Sequence, residues 1–256
     1  MKKSLLTIGG FDPTAGAGIC LDLKVFQHMD YIGTAVLTAV TVQNTQNVTR
    51  IHCLPPDMIW EQYKTLVDDI SPCGIKISMF GCKENADPVL SILSERKDAP
   101  VVVDPILHAS AGALLSPLDT LIGFLSQAKE KISLVIPNCH EAAALSDRSI
   151  QSIKDAKQAA QMLSERFMSP FLIKGFPGKS HVSDILYDGH KFFVYKNKKT
   201  EKGVHGTGCF LSSSLLGFLV QKKSLDDACQ HAIEMTQTAI QNAIKLGRGQ
   251  DLIILP

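Results

Sequence analysis

The order of apolar segments predicts an α/β chain built on a mostly parallel sheet with helices on both faces. Three observations carry that expectation: strand-like runs that are short and apolar throughout, amphipathic helical spacings between them, and a single hairpin signal that interrupts the alternation. In such folds ligands sit at the carboxyl ends of the strands, so residues just after each strand are the first candidates for function.

Residues 4–8 form the first apolar run; a loop from Gly9 and Gly10 to Gly18 follows, and a helical pattern covers 19–29. The β-branched stretch 36–42 reads as a strand, 56–70 as a helix with Asp57 as its N-cap, and 74–77 as another short strand. Helix 83–96, strand 101–103, helix 114–129, strand 134–136, helices 139–145 and 152–167, and strand 171–173 continue the series. Within 182–195, Asp188 and Gly189 mark a hairpin turn. A long small-residue helix covers 210–220. The last helix starts at Ser224, with Asp227 completing a variant capping box, presents Leu225, Ala228, Ala232, Met235, Ala239 and Ala243 on one face, and closes at Gly247 and Gly249.

A chain of 256 residues with 45% hydrophobic content can build one large core, so a single domain over 1–256 is expected. The net charge of +1, from 26 basic and 25 acidic side chains, supplies no general attraction to nucleic acid or to an anionic membrane. Small molecules are the expected partners, and pairing into a homodimer is left open. The seven cysteines contain no CxxC pair, which argues against a zinc site or a disulfide framework and for reduced thiols. With no signal-like core and no apolar run of membrane-spanning length, the expected location is the cytoplasm.

The run His205, Gly206, Thr207, Gly208, Cys209 ends where the 210–220 helix begins, so its backbone N–H groups and the positive end of the helix dipole would hold an anion. A thiol there is expected to ionise more easily, which would make Cys209 a base at neutral pH; a buried packing cysteine is the plain alternative. Asp12, Asp104, Asn138 with Glu141, and Lys174 all follow strands and therefore share one sheet edge. Taken singly, Asp12 reads as a turn residue and Asn138 with Glu141 as a helix cap. Together, a cation, acids able to hold a divalent metal through water, and a glycine-rich helix start are the parts that phosphoryl transfer from a nucleotide requires. Gly178, Lys179 and Ser180 are not a P-loop, because Ile173 stands where the template needs glycine, and the glycines of the first loop do not fit a dinucleotide fingerprint.

Seven segments in order make the chain resemble the hydroxymethylpyrimidine/phosphomethylpyrimidine kinases of the ribokinase-like superfamily: LTIGGFDPTAGAGICLDLKVF at 6–26, TAVTVQNTQNV at 38–48, VVVDPIL at 101–107, LVIPNCHEAAAL at 134–145, IKG at 173–175, SDILYDG at 183–189 and HGTGCFLSSS at 205–214. The resemblance implies a three-layer α/β/α sandwich with a small β flap, ATP and Mg²⁺ as cofactors, and a role in thiamine diphosphate synthesis. It implies a pyrimidine pocket at Gly10, Asp12, Asp22, Gln43, Met79 and Ile106. Gln43 can donate and accept at a ring amine and nitrogen, and Met79 offers a polarizable face. Cys209 would take the hydroxymethyl proton, with the Gly206 to Gly208 amides stabilising the transferring charge. Lys174, Thr207, Asn138 and Glu141 would hold the triphosphate, and Asp104 and Glu141 its metal through water.

The chain departs from the family pattern at Ala15, where a glycine is usual, at Ser110, Ala111 and Gly112 in place of a KSG run, and at Phe176 and Pro177 after the lysine-glycine pair. These changes bear on phosphate-side contacts and on the second phosphorylation. A pyridoxal kinase of the same branch and a silent ligand-binding relative are the competing readings. Gln43 and Met79 favour the aminopyrimidine, and retention of Cys209, Lys174 and Asp104 favours a working enzyme.

Overall fold

The computed structural model describes residues 2–96, 98–109, 112–200 and 202–255. Among them nine strands form one sheet, in the order β3, β2, β1, β4, β5, β6, β7, β8, β9. The strands are β1 (Ser4–Phe11), β2 (Ile32–Gln43), β3 (Val48–Cys53), β4 (Ile75–Ile77), β5 (Val101–Val103), β6 (Leu134–Val135), β7 (Phe171–Pro177), β8 (His181–Tyr187) and β9 (Phe192–Lys198). From β2 to β7 the neighbours are parallel, while β3 at one edge and β8 and β9 at the other pair antiparallel.

Alternation along these apolar strands explains the layers. Leu6, Ile77, Val103, Val135 and Phe171 face helices α2 (Pro56–Val67), α3 (Ala86–Glu95), α4 (Leu118–Gln127), α5 (Cys139–Ser146) and α6 (Ile153–Phe167). Leu5, Val102, Leu134 and Leu172 face the other way, onto α1 (Gly18–His28), α7 (Thr207–Val220) and α8 (Leu225–Gln241). The central parallel strands β1, β4, β5 and β6 are buried on both faces, which is why they read as almost continuous apolar runs. The expected α/β/α sandwich is therefore present. A two-stranded pairing of β10 (Val204–His205) with β11 (Asp251–Leu252) lies outside the main sheet.

Several boundaries differ from the expectations above. The 114–129 helix starts only at Leu118, because Leu114 bridges His108 and Pro117 supplies the turn into the helix. The 83–96 segment is one 3₁₀ turn, Lys83–Asn85, followed by α3. Asp57 is not a cap: Pro55 occupies that position and Asp57 Oδ1 accepts from Met58 N at 2.8 Å. Gly247 and Gly249 do not close α8, which ends at Gln241; both pack against Thr45 instead. β3 is an addition, an edge strand whose mixed apolar and polar residues carry little periodic signal. Ser224 caps α8 as expected, accepting from Asp227 N at 3.1 Å.

Beneath the carboxyl edge, Lys76 of β4 is wholly buried. Its ammonium pairs with Asp22 of α1 and donates to Cys209 O at 3.1 Å and Ser213 Oγ at 3.2 Å, both in α7. Thr7 Oγ1 and Ser213 Oγ donate to the same carboxylate at 2.6 and 2.9 Å. Burial pulls the lysine toward neutrality, yet Asp22 and the neighbouring acidic groups hold its pKa above the usual value. Removing one member of a buried pair leaves the other charge uncompensated, so Lys76→Met is expected to lower unfolding free energy by about 3–5 kcal/mol in urea denaturation.

Candidate active site

Three sheet irregularities lie where the sequence placed function. Register shifts occur at Gly9/Gly10 in β1, at Val42/Gln43 in β2 and between Ile173 and Phe176 in β7. Such bulges re-aim the side chains that follow them. They open onto a cavity of about 600 Å³ at the carboxyl edge.

One end of the cavity is lined by Gly10, Asp12, Gln43, Met79 and Ile106. A Cβ on Gly10 would lie 2.5 Å from Met79 Sδ, so glycine there lets the thioether reach the cavity wall. Asp12 Oδ2 faces His205 Nε2 at 2.8 Å, and Thr14 N donates to Asp12 Oδ1 at 2.9 Å. Burial works against ionisation of Asp12, but these hydrogen bonds outweigh it and hold the carboxyl below its ordinary range. Asp22 corrects the expectation for this end: it is neither solvated nor in the cavity, because Lys76, Thr7 and Ser213 consume its oxygens below the floor.

The other end brings together Asp104, Asn138, Glu141, Lys174, Thr207 and Gly208. Lys174 Nζ donates to Asp104 Oδ1 at 2.5 Å, and a Cβ on Gly208 would lie 3.1 Å from the same nitrogen. Lysine, carboxylate and the first turn of α7 are thus in contact. Asn138 and Glu141 form the helix cap that was one of their two readings: Asn138 Oδ1 accepts from Glu141 N at 2.9 Å and Glu141 Oε2 from Asn138 N at 2.7 Å. The cap also lines the cavity.

Cys209 is the third residue of α7, after Gly206 as N-cap. Gly206 has φ +79°, and a Cβ there would fall 1.9 Å from Gly16 O, so no other residue fits this contact between the two loops. The expectation of an acidified thiol is corrected. Burial pushes Cys209 up to about 11, Asp22 and Asp104 push it the same way, and Lys76 and the Gly18 amide only partly oppose them. Desolvation outweighs the helix terminus because the sulfur is buried among carboxylates.

Among the described residues no group of three His, Cys, Asp or Glu side chains could hold a metal alone. Two carboxylates, Asp104 and Glu141, fit Mg²⁺, which is commonly bound through one or two carboxylates, waters and substrate phosphates. No described helix is long and apolar enough to cross a membrane.

The family profile of phosphomethylpyrimidine kinase matches residues 12–253. The chain belongs to this family. It is 36% identical over 250 residues to a hydroxymethylpyrimidine/phosphomethylpyrimidine kinase of Aquifex aeolicus, covering 97% of this chain and 98% of that protein. Among solved structures it superposes on the pyridoxal kinase from Staphylococcus aureus in complex with AMP-PCP and pyridoxal, with TM-score 0.88, 29% identity and coverage of 99% and 93%. It superposes on the phosphomethylpyrimidine kinase of Clostridium difficile 630 with TM-score 0.80, 28% identity and coverage of 95% and 100%. The chain is therefore a phosphotransferase with a ribokinase-like fold.

Two cavity residues of this kinase were given no role from sequence, although both lie in quoted segments. His205 opens the glycine run before α7, and Asp184 of β8 accepts from Gly175 N at 2.7 Å and Asn197 Nδ2 at 2.9 Å. Ala15 adopts φ +52°, the left-handed conformation in which the family's usual glycine costs less. Ser110 and Ala111 lie outside the described residues. Phe176 is half-buried and pairs with Ser183 across the β7–β8 hairpin.

Burial raises Glu141 to about 7, and Asp104 adds to the rise against the opposing Lys174 and backbone amides. An unfolded glutamate ionises near 4.5, so between the two values the native state holds the extra proton and stability falls as pH rises. Glu141→Gln keeps the cap and is expected to flatten the fall in melting temperature between about pH 4.5 and 7, measured on the ligand-free protein.

Proposed function

We propose that this kinase transfers the γ-phosphate of ATP to 4-amino-5-hydroxymethyl-2-methylpyrimidine, and then to its monophosphate, in thiamine diphosphate synthesis. The observation that carries the reading is one cavity with Gln43 and Met79 at one end, the Lys174–Asp104 pair at the other, and Cys209 in the helix turn lining it. The heterocycle would lie against Met79 and Ile106, with Gln43 reading its polar edge. The hydroxymethyl oxygen would attack the γ-phosphorus in line, its proton passing to Cys209 in its thiolate form while the bond from phosphorus to the β-bridging oxygen breaks. Amides of Gly206 to Gly208 and the Lys174 ammonium would face the charge on the transferring group, while Thr207 and Asn138 position the triphosphate. Asp104 and Glu141 would hold Mg²⁺ through water; bound there, the ion neutralises charge on the phosphates. Seven free cysteines support a reducing compartment, the cytoplasm, as the site of action.

The pyridoxal kinase superposition favours a second reading, pyridoxal as the acceptor alcohol. Assaying the aminopyrimidine alcohol, its monophosphate and pyridoxal with ATP and Mg²⁺ separates the two: the expected order of kcat/KM puts the aminopyrimidine first, and a preference for pyridoxal would replace the main reading.

Because the Cys209 thiol lies at about 11 in the free protein, log kcat/KM should climb with a slope of about one between about pH 7.5 and 9. Cys209→Ala should lower kcat by about 10²–10⁴-fold and abolish the slope, with ATP binding retained in calorimetry. Near-normal turnover in that variant would remove the thiol from the mechanism.

A further inference from the structure

At the pyrimidine end, a count of protons decides how Gln43 is presented. The amide is placed with Nε2 3.2 Å from His205 Nε2 and Oε1 3.2 Å from Thr41 Oγ1. His205 Nε2 also lies 2.8 Å from Asp12 Oδ2, and Thr41 Oγ1 lies 2.9 Å from Phe11 O. Asp12 already accepts from Thr14 N and Thr14 Oγ1 at 2.9 Å, as an ionised carboxylate does, so the ring nitrogen facing it must carry a proton. That N–H cannot also accept from an amide N–H; its one proton, given mainly to Asp12 at 2.8 Å, is shared with the Gln43 atom at 3.2 Å, which must then be the oxygen. Likewise Phe11 O accepts only, so it takes the single hydroxyl proton of Thr41 and leaves Thr41 Oγ1 as an acceptor. Both neighbours of Gln43 therefore require the same reversal: carbonyl oxygen toward His205, NH₂ toward Thr41. The two ends of an amide have nearly the same shape, and the hydrogen-bond network is what distinguishes them.

We propose that His205, locked by Asp12, is a specificity-determining positioning residue that sets the polarity of the Gln43 amide and so the donor–acceptor order met by the substrate ring. The proposal rests on the pyrimidine reading of this site. Once His205 and Thr41 are satisfied, Gln43 keeps one N–H and one lone pair, the complement of an amino group beside a ring nitrogen. A heteroaromatic alcohol without that adjacent pair leaves one of them unmatched, and unmatched polar groups are how binding sites reject close analogues. Nothing in the phosphoryl-transfer step itself requires this network.

The first measurement uses the wild-type protein: imidazole ¹⁵N shifts of His205, assigned by loss of the signal in His205→Gln. The expected result is the tautomer protonated at Nε2, and protonation at Nδ1 with a bare Nε2 would overturn the proposal. The second compares His205→Ala and His205→Gln with the aminopyrimidine alcohol and pyridoxal as acceptors. His205→Ala should raise KM for the aminopyrimidine about tenfold, change KM for ATP less than about twofold, and lower the aminopyrimidine-to-pyridoxal ratio of kcat/KM about tenfold. His205→Gln, which can offer an N–H to both Asp12 and Gln43, should recover most of that ratio. An unchanged ratio in the alanine variant, or equal increases in both KM values, would overturn it. Should the variants fail to fold by circular dichroism, the wild-type tautomer decides. If the wild-type protein leaves the aminopyrimidine unphosphorylated, the substrate reading fails, while the tautomer still reports on the amide.

Discussion

The buried ammonium of Lys76 holds the centre of this kinase together. It arises from a three-residue strand in the middle of the sheet and reaches two helices at once, through Asp22 in α1 and through Cys209 O and Ser213 Oγ in α7. Helix α1, which follows the glycine loop, and the thiol-bearing turn of α7 are both anchored to the same nitrogen. A hydrophobic contact could supply comparable packing but not this direction, since charge-assisted hydrogen bonds constrain angle as well as distance. The same lysine faces the sulfur from below and is the main influence drawing its pKa downward. The arrangement thus joins fold geometry to the electrostatics of the Cys209 thiol.

Above that floor, the site alternates signs over short distances. Asp104 and Lys174 neutralise one another, Glu141 stands beside them with its proton affinity raised by burial, and Asp184 is raised to about 6 by burial against the opposing Gly175 amide, Lys174 and Asn197. The Lys174 ammonium is held above the usual lysine value despite burial, by Asp104 and Glu141. Carboxylates so placed resist sharing one cation unless a further positive charge is present. That is the electrostatic context in which a divalent ion and a triphosphate are compatible with the same cavity.

Much of this was legible from residue order. Apolar β-branched triplets such as Val101–Val103, set between helical spacings, read as strands covered on both faces, and polar residues immediately after them then fall at the carboxyl edge. Asp104, Lys174 and the Asn138–Glu141 cap were found that way. What escaped detection depends on tertiary environment. The high proton affinity of Cys209 follows first from burial and then from the carboxylates of α1 and of the loop after β5, all of them set by packing between segments far apart in sequence. Asp22 sits on an ordinary helix pattern, and its burial becomes visible only once Lys76 is opposite. His205 looked like the edge of a motif because its partners, Asp12 and Gln43, are 193 and 162 positions away. The boundaries of the 114–129 region shifted because Pro117 and a bridge at Leu114 override helical spacing.

The meeting of Gly206 with Gly16 has a consequence for divergence. A carbonyl oxygen occupies the volume where any side chain would begin, so position 206 has an alphabet of one letter for as long as the two loops touch. Mutational drift can rewrite the helices and most of the sheet around it, but not that letter. Short signatures of this kind outlast overall identity, and they mark the places where two stretches of main chain come too close for anything to grow between them.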